Sequence, residues 1–94
     1  MRTGWTKRAE KDLFSNIGFI SENSPQNAQK VAKEIIDFAE TFKNFPYKYP
    51  KEKFYNRENI RFAMKYKFKI VYRVEEKQII IMRLFHTKQN PNKI

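Results

Sequence analysis

Hydrophobic and polar residues repeat with two different periods along this chain. Between residues 6 and 42 apolar positions recur every three or four residues, and from Ile60 to Phe85 they alternate. Thr6 is placed to cap a first helix whose apolar positions are Ala9, Leu13, Ile17 and Ile20. Gly18 interrupts it, at about 1 kcal/mol relative to alanine, and is read as a point of close approach. Ser24-Pro25 then opens a second helix, serine as cap and proline at its first position. Ala28, Val31, Ala32, Ile35, Phe38, Ala39 and Phe42 give that helix one apolar stripe. So few residues join the two helices that they must fold back as an antiparallel hairpin. "MRTGW" before them is a weak strand with Gly4 inside it. "NFPYKYPKEKFYNREN", residues 44–59, is a proline-bearing aromatic and cationic connection. Strands are expected at 60–64, 66–75 and 78–85, followed by an irregular tail. The predicted fold is α+β, in the order β-α-α-β-β-β, with a two-helix hairpin on one face of an antiparallel sheet. The length suits one domain spanning 1–94.

The turn after Val74 sets which side chains share a face. With a two- or four-residue loop, Val74 pairs with Ile79, Tyr72 with Ile81, Ile70 with Arg83 and Phe68 with Phe85. That mostly apolar set belongs under the helices. On the other face Arg73 would oppose Ile80, Val71 Met82, Lys69 Leu84, and Lys67 His86. The expectation is an uncovered face carrying Lys67, Lys69, Arg73 and His86 around an apolar floor of Val71, Met82 and Leu84. Lysines on an exposed strand face are common and also discourage edge aggregation, and a lone histidine is more often a surface residue than a catalyst.

Charge adds weight to a functional reading. The net is +10, yet residues 1–45 hold seven Lys/Arg against six Asp/Glu, and residues 46–94 hold thirteen against four. A field concentrated on one half of so small a domain suggests an anionic partner. The basic half reads as strands and not as an amphipathic helix, which argues against a membrane surface. No cysteine is present, excluding disulfides and thiolate metal sites, and the first residues lack the apolar core of a signal peptide. A cytoplasmic protein without metal or cofactor is the expectation.

"WTKRAEKDL", "SPQNAQKVAKEII", the "FP" after the second helix, "IRFAMKYKFKIVYRV" and "IIIMRLFHTKQNP" cover nearly the whole chain in order. Together they resemble the RelE/ParE superfamily of bacterial type II toxins. The resemblance implies a small basic toxin of a plasmid-stabilisation or stress module, neutralised in a hetero-oligomer by a cognate antitoxin. RelE-like members cut messenger RNA on the ribosome without metal, whereas ParE-like members inhibit DNA gyrase. Carried onto this sequence, Lys69 just before "VY" and Lys88 past the last strand match cations that stabilise the ribonuclease transition state. His86 matches an acid or base of some branches, and Arg61 a common basic position on the preceding strand. The C-terminal tyrosine of several ribonucleases is missing, and lysine stands where arginine is usual.

Two functions from different classes follow, with a third beside them. In a ribonuclease His86 would move the proton while Lys67, Lys69 and Lys88 stabilise charge on the phosphoryl oxygens. In a gyrase inhibitor the same cations would be interface contacts and His86 incidental. A general basic nucleic-acid-binding module accounts for charge alone. The sequence reading favours the ribonuclease over the gyrase inhibitor, with Lys65, Lys67, Arg73 and Arg83 as target contacts. An acidic amphipathic antitoxin segment is expected on Lys67, Lys69, Val71, Met82 and Leu84.

Overall fold

The computed structural model describes residues 1–87. Strand β1 (Arg2–Trp5) leads into helix α1 (Lys7–Ser21), which folds back as α2 (Pro25–Glu40) and ends in a short 3-10 turn (Thr41–Lys43). Strands β2 (Ile60–Lys65), β3 (Phe68–Val74) and β4 (Gln78–His86) follow, and the sheet order is β1-β4-β3-β2. The β-α-α-β-β-β order holds. Within it β1 lies parallel to β4, while the other two pairings are antiparallel.

Both helix starts form as their caps dictate. The Thr6 hydroxyl accepts from the Ala9 amide, and the Ser24 hydroxyl accepts from the Asn27 amide, with Pro25 in the first turn of α2. Gly4 and Gly18 exchange the roles expected of them. A Cβ on Gly4 would stand 3.2 Å from the Ile80 side chain, so the close approach is in β1, where it lets the edge strand lie flat on β4. A Cβ on Gly18 would meet nothing within 4 Å, so that glycine is not a close-approach point.

The main core lies between the hairpin and the sheet. Ala9 and Leu13 of α1, with Ile35 and Ala39 of α2, pack against Ile70, Tyr72, Ile79, Ile81 and Leu84. Phe42 stacks on Tyr72 with ring centroids 4.4 Å apart. The Tyr72 hydroxyl donates to the Pro46 carbonyl at 2.6 Å, and burial raises its pKa well above the phenolic value. A smaller cluster of Ile60, Val71 and Phe85 occupies the opposite face, with Tyr55, Phe62 and Met82 against it.

The β3–β4 register departs from strict alternation at one place. Val74–Ile79, Arg73–Ile80 and Tyr72–Ile81 pair as expected, but the register shifts between Val71 and Tyr72. Beyond that point Val71 pairs with Arg83, Ile70 with Leu84, Lys69 with Phe85, and Phe68 with His86. Met82 is the extra residue of a β-bulge. The physical reason is the cost of a guanidinium in the core: uninterrupted alternation would put Arg83 beside Ile70 under the helices. The bulge gives that place to Leu84, which is fully buried, and lets Arg83 reach Asp12 of α1 at 2.8 Å.

The same stretch of β4 has lost its outer neighbour, because β1 ends at Trp5. Side chains of α1 and its cap take over the exposed hydrogen-bonding groups. Thr6 donates its backbone amide to the Ile81 carbonyl and its hydroxyl to the Met82 carbonyl. The Leu84 amide donates to the Asp12 carboxylate at 3.0 Å. Every backbone group so satisfied removes a desolvation cost that an uncovered edge would carry.

Candidate functional site

The expected uncovered cup does not form. Opposed residues share a face, so His86, opposite Phe68, lies on the side of the helical lid. Its ring meets Phe68 edge-on, with centroids 5.3 Å apart. Lys69 lies on the other face, opposite Phe85. Val71 and Leu84 are both fully buried and belong to different clusters, so they are not an exposed floor for an antitoxin. Of that floor only Met82 is partly exposed. Phe85 also moves, from beneath the helices to the opposite face. The inserted residue accounts for His86, Leu84 and Phe85 changing face, while Val71 keeps its face and is buried by the second cluster.

Lys69 is held where it stands. Its ammonium donates to the Glu52 carboxylate at 2.6 Å, with the two side chains 20% and 3% exposed. The rings of Phe62 and Phe85 flank it, at 4.6 and 5.8 Å. The other Glu52 oxygen accepts from the Phe54 amide at 2.8 Å. Glu52 belongs to the 44–59 connection, which runs along the outer edge of β2. The Glu52 amide donates to the Ile60 carbonyl, the Phe62 amide donates to the Pro50 carbonyl, and Lys51 bridges to Arg61. The pair therefore fastens this strap to the sheet.

The other expected cations are similarly engaged. Arg61 opposes Tyr72 on the lid side, and donates to the Tyr49 and Glu58 carbonyls and the Glu58 carboxylate. Arg73 pairs with Glu75 at 2.7 Å beside the β3–β4 turn. Hydrogen bonds from Gln78 and then Arg73 hold the Glu75 carboxyl below its usual pKa. Arg83 is bound to Asp12 at 2.8 Å, with the two side chains 14% and 13% exposed. Lys65 lies 5.4 Å from the Phe38 ring and 5.3 Å from the Tyr66 ring. Lys88 lies outside the described residues.

A groove brings His86 and Lys67 together. It has a volume of about 900 Å³ and lies between the tip of the helical hairpin and the β2–β3 turn. Phe19 and Ile20 of α1 and Val31 of α2 form one wall, and Phe68 the sheet side. Lys30, Lys67 and His86 line it with the amides of Asn16 and Asn27. Tyr66 stands at its edge, 57% exposed, in a two-residue turn with a left-handed φ of 55°. That backbone region disfavours a bulky L-residue, and glycine or asparagine is the ordinary occupant. A large exposed ring in a left-handed turn thus stands beside an apolar groove, which makes this the candidate binding surface. The sequence reading places Tyr66 and Lys67 inside a strand over 66–75, whereas they form the β2–β3 turn, and the contribution of α1 and α2 to the groove required the packing. Among the described residues no group of three or more His, Cys, Asp or Glu side chains could hold a metal ion.

The chain is a toxin of the RelE/ParE superfamily, and its helical hairpin over one face of a four-stranded β1-β4-β3-β2 sheet agrees with that class. The family model for the ParE toxin of the type II toxin–antitoxin system parDE matches residues 4–91, and the chain belongs to that family. The solved chromosomal ParDE toxin–antitoxin system from P. aeruginosa is similar in fold, with a TM-score of 0.76 at 20% identity, covering 94% of this chain and 97% of that one. The toxin–antitoxin complex RelBE2 from Mycobacterium tuberculosis gives a TM-score of 0.54 at 16% identity, covering 90% and 95%. Identities this low speak for the fold alone. No curated protein sequence matches the chain.

Proposed function

We propose that this toxin arrests growth by binding its target and not by cutting RNA, in the manner of ParE-like inhibitors of DNA gyrase. One observation carries the reading: Lys69 is fastened to Glu52 on one face of the sheet while His86 lies on the other. Phosphodiester cleavage needs the proton-transferring group and the charge-stabilising group around one phosphate. Among the described residues, His86 and Lys69 are separated by the sheet itself, which leaves Lys67 as the one assigned lysine that shares the groove with the histidine. A binding toxin has no such requirement, and membership of the ParE family favours it.

The partner that neutralises it is an antitoxin, and the groove suits an acidic amphipathic segment. Apolar side chains would cover Phe19, Ile20 and Val31, while carboxylates met Lys30 and Lys67. This replaces the surface expected from Lys69, Val71 and Leu84, whose side chains are engaged or buried.

Controlled expression distinguishes the two chemistries. The binding reading expects intact messages, inhibited supercoiling and accumulating cleaved DNA, and full toxicity of His86→Ala. Discrete cuts within codons on ribosome-bound messages, lost in His86→Ala, would overturn it. Charge reversal at Lys30 and Lys67 should weaken antitoxin binding at least tenfold. An unchanged affinity would move the antitoxin off the groove.

A further inference from the structure

The 44–59 strap lies outside the groove and has features that the groove does not account for. It is firmly held: Glu52 is tied to Lys69, Tyr49 and Pro46 carbonyls accept from Arg61 and Tyr72, and residues 50–52 are hydrogen-bonded along β2. Two of its rings, Tyr49 and Tyr55, pack against the two hydrophobic clusters. Three others do not. Phe45, Tyr47 and Phe54 are 72%, 54% and 65% exposed. Well-anchored backbone thus presents large flat apolar surfaces to water, which a domain with buried alternatives would ordinarily avoid.

Charge is sorted in the same way. Both carboxylates of the strap are engaged within the chain, the buried Glu52 by Lys69 and the exposed Glu58 by Arg61 and Lys51. Among the described residues no carboxylate lies within ion-pair distance of Lys48, Lys53 or Arg57. With Glu52 buried and Glu58 ion-paired, the strap's outward charge is net positive, interleaved with the three exposed rings. A recess of about 600 Å³ opens between Phe45 and Tyr47, and the Asn44 and Lys48 side chains also line it. The Arg61 guanidinium stands 4.9 Å from the Tyr47 ring and braces it.

We propose that this strap is a second binding surface, separate from the groove, which takes a single strand of nucleic acid. Bases stack on Phe45 and Tyr47 in the recess and on Phe54 further along, while phosphates pass Lys48, Lys53 and Arg57. Rings on a rigid platform, alternating with unpaired cations, are what sequence-tolerant single-strand binding requires. An acidic peptide fits less well. The edge of β2, where a peptide strand would add, is already occupied by residues 50–52. The bases of a duplex are stacked on one another and cannot reach the rings.

The test is fluorescence anisotropy on the purified full-length protein with labelled oligo(dT), oligo(U) and a DNA duplex of equal length. Single strands should bind more tightly than the duplex, with a log–log salt slope of roughly −2 for three phosphate contacts. Replacing Phe45 and Tyr47 by alanine should weaken binding about tenfold or more and leave that slope unchanged. Lys48→Gln with Lys53→Gln should flatten the slope by roughly 1.4. If the double ring variant loses its circular dichroism, Phe54→Ala alone supplies the ring arm. Equal affinity for duplex and single strand, or ring variants binding as the parent does, would overturn the proposal. So would a polyglutamate peptide that binds the strap more tightly than either oligonucleotide. Growth arrest is scored separately, so failure here is distinct from failure of the binding-toxin reading.

Discussion

Replacing Glu52 by glutamine tests how Lys69 is used. The change keeps the shape of the side chain and one carbonyl oxygen, so an acceptor remains for either the Phe54 amide or Lys69. It removes the charge that a one-fifth-exposed ammonium faces at 2.6 Å. Breaking a buried ion pair from one side costs about 3–5 kcal/mol, because the remaining charge is left without compensation. Lys69 can recover part of this by swinging its ammonium into water on a flexible stem, leaving a loss of about 2–3 kcal/mol. In a domain of this size that lowers Tm by roughly 10–20 °C. Lys69→Met should cost more, about 3–5 kcal/mol, because the stranded Glu52 carboxylate is 3% exposed and cannot reach water.

The double variant Glu52→Leu with Lys69→Met should then recover most of the loss, to within about 1 kcal/mol of the parent, since an apolar pair can replace a buried ionic one. Urea denaturation followed by the fluorescence of Trp5, the chain's single tryptophan and a neighbour of the core, measures all of these. A Glu52→Gln loss below about 0.5 kcal/mol, typical of surface changes, would refute the latch. So would a Lys69→Met variant milder than Glu52→Gln, because the asymmetry follows from the two exposures. The folded double variant should still arrest growth. Loss of toxicity at full stability would return Lys69 to the chemistry and refute the binding-toxin reading as well.

Gly18→Ala should stabilise the protein by about 1 kcal/mol, since the new methyl meets nothing and helix propensity improves; an unchanged or lower midpoint in the same urea assay would contradict this. Asp12→Ala should cost about 1–3 kcal/mol by leaving the Leu84 amide without its acceptor and removing one carboxylate from Arg83, and hydrogen exchange at Leu84 should accelerate with it; a protected Leu84 amide would show another acceptor. Tyr66→Gly should leave stability unchanged or raise it by up to about 1 kcal/mol, because relief of the left-handed φ offsets the entropy glycine loses, while antitoxin affinity falls; equal affinity would remove Tyr66 from the interface. Glu75 should titrate below 4.5 in the folded protein, so the stability it lends is present above its unfolded pKa and lost as pH falls through the folded one; an NMR midpoint at or above 4.5 would show that its bonds to Gln78 and Arg73 do not persist in solution.

What could be read in the sequence separates at Met82. Signals that act over a few residues were legible: the Thr6 and Ser24 caps, the apolar stripe of α2, and the register nearest the β3–β4 turn. Each depends on neighbours already adjacent in the chain. The bulge depends on Asp12, which is 71 residues from Arg83 and comes beside it only when α1 lies along β4. Strict alternation therefore propagated the turn's register past the point where a distant carboxylate made a different one cheaper. The changes of face follow from that step: His86 and Leu84 joined the lid side, Phe85 left it, and Lys69 parted from His86. The strap hid the second half of the answer, since the one buried carboxylate that fixes Lys69 sits in a connection with no periodicity to read. In a sheet beneath a helical lid, a charged residue at a core-parity position is thus informative. Arg83 at such a position already required either a buried partner or a register break, and this protein uses both.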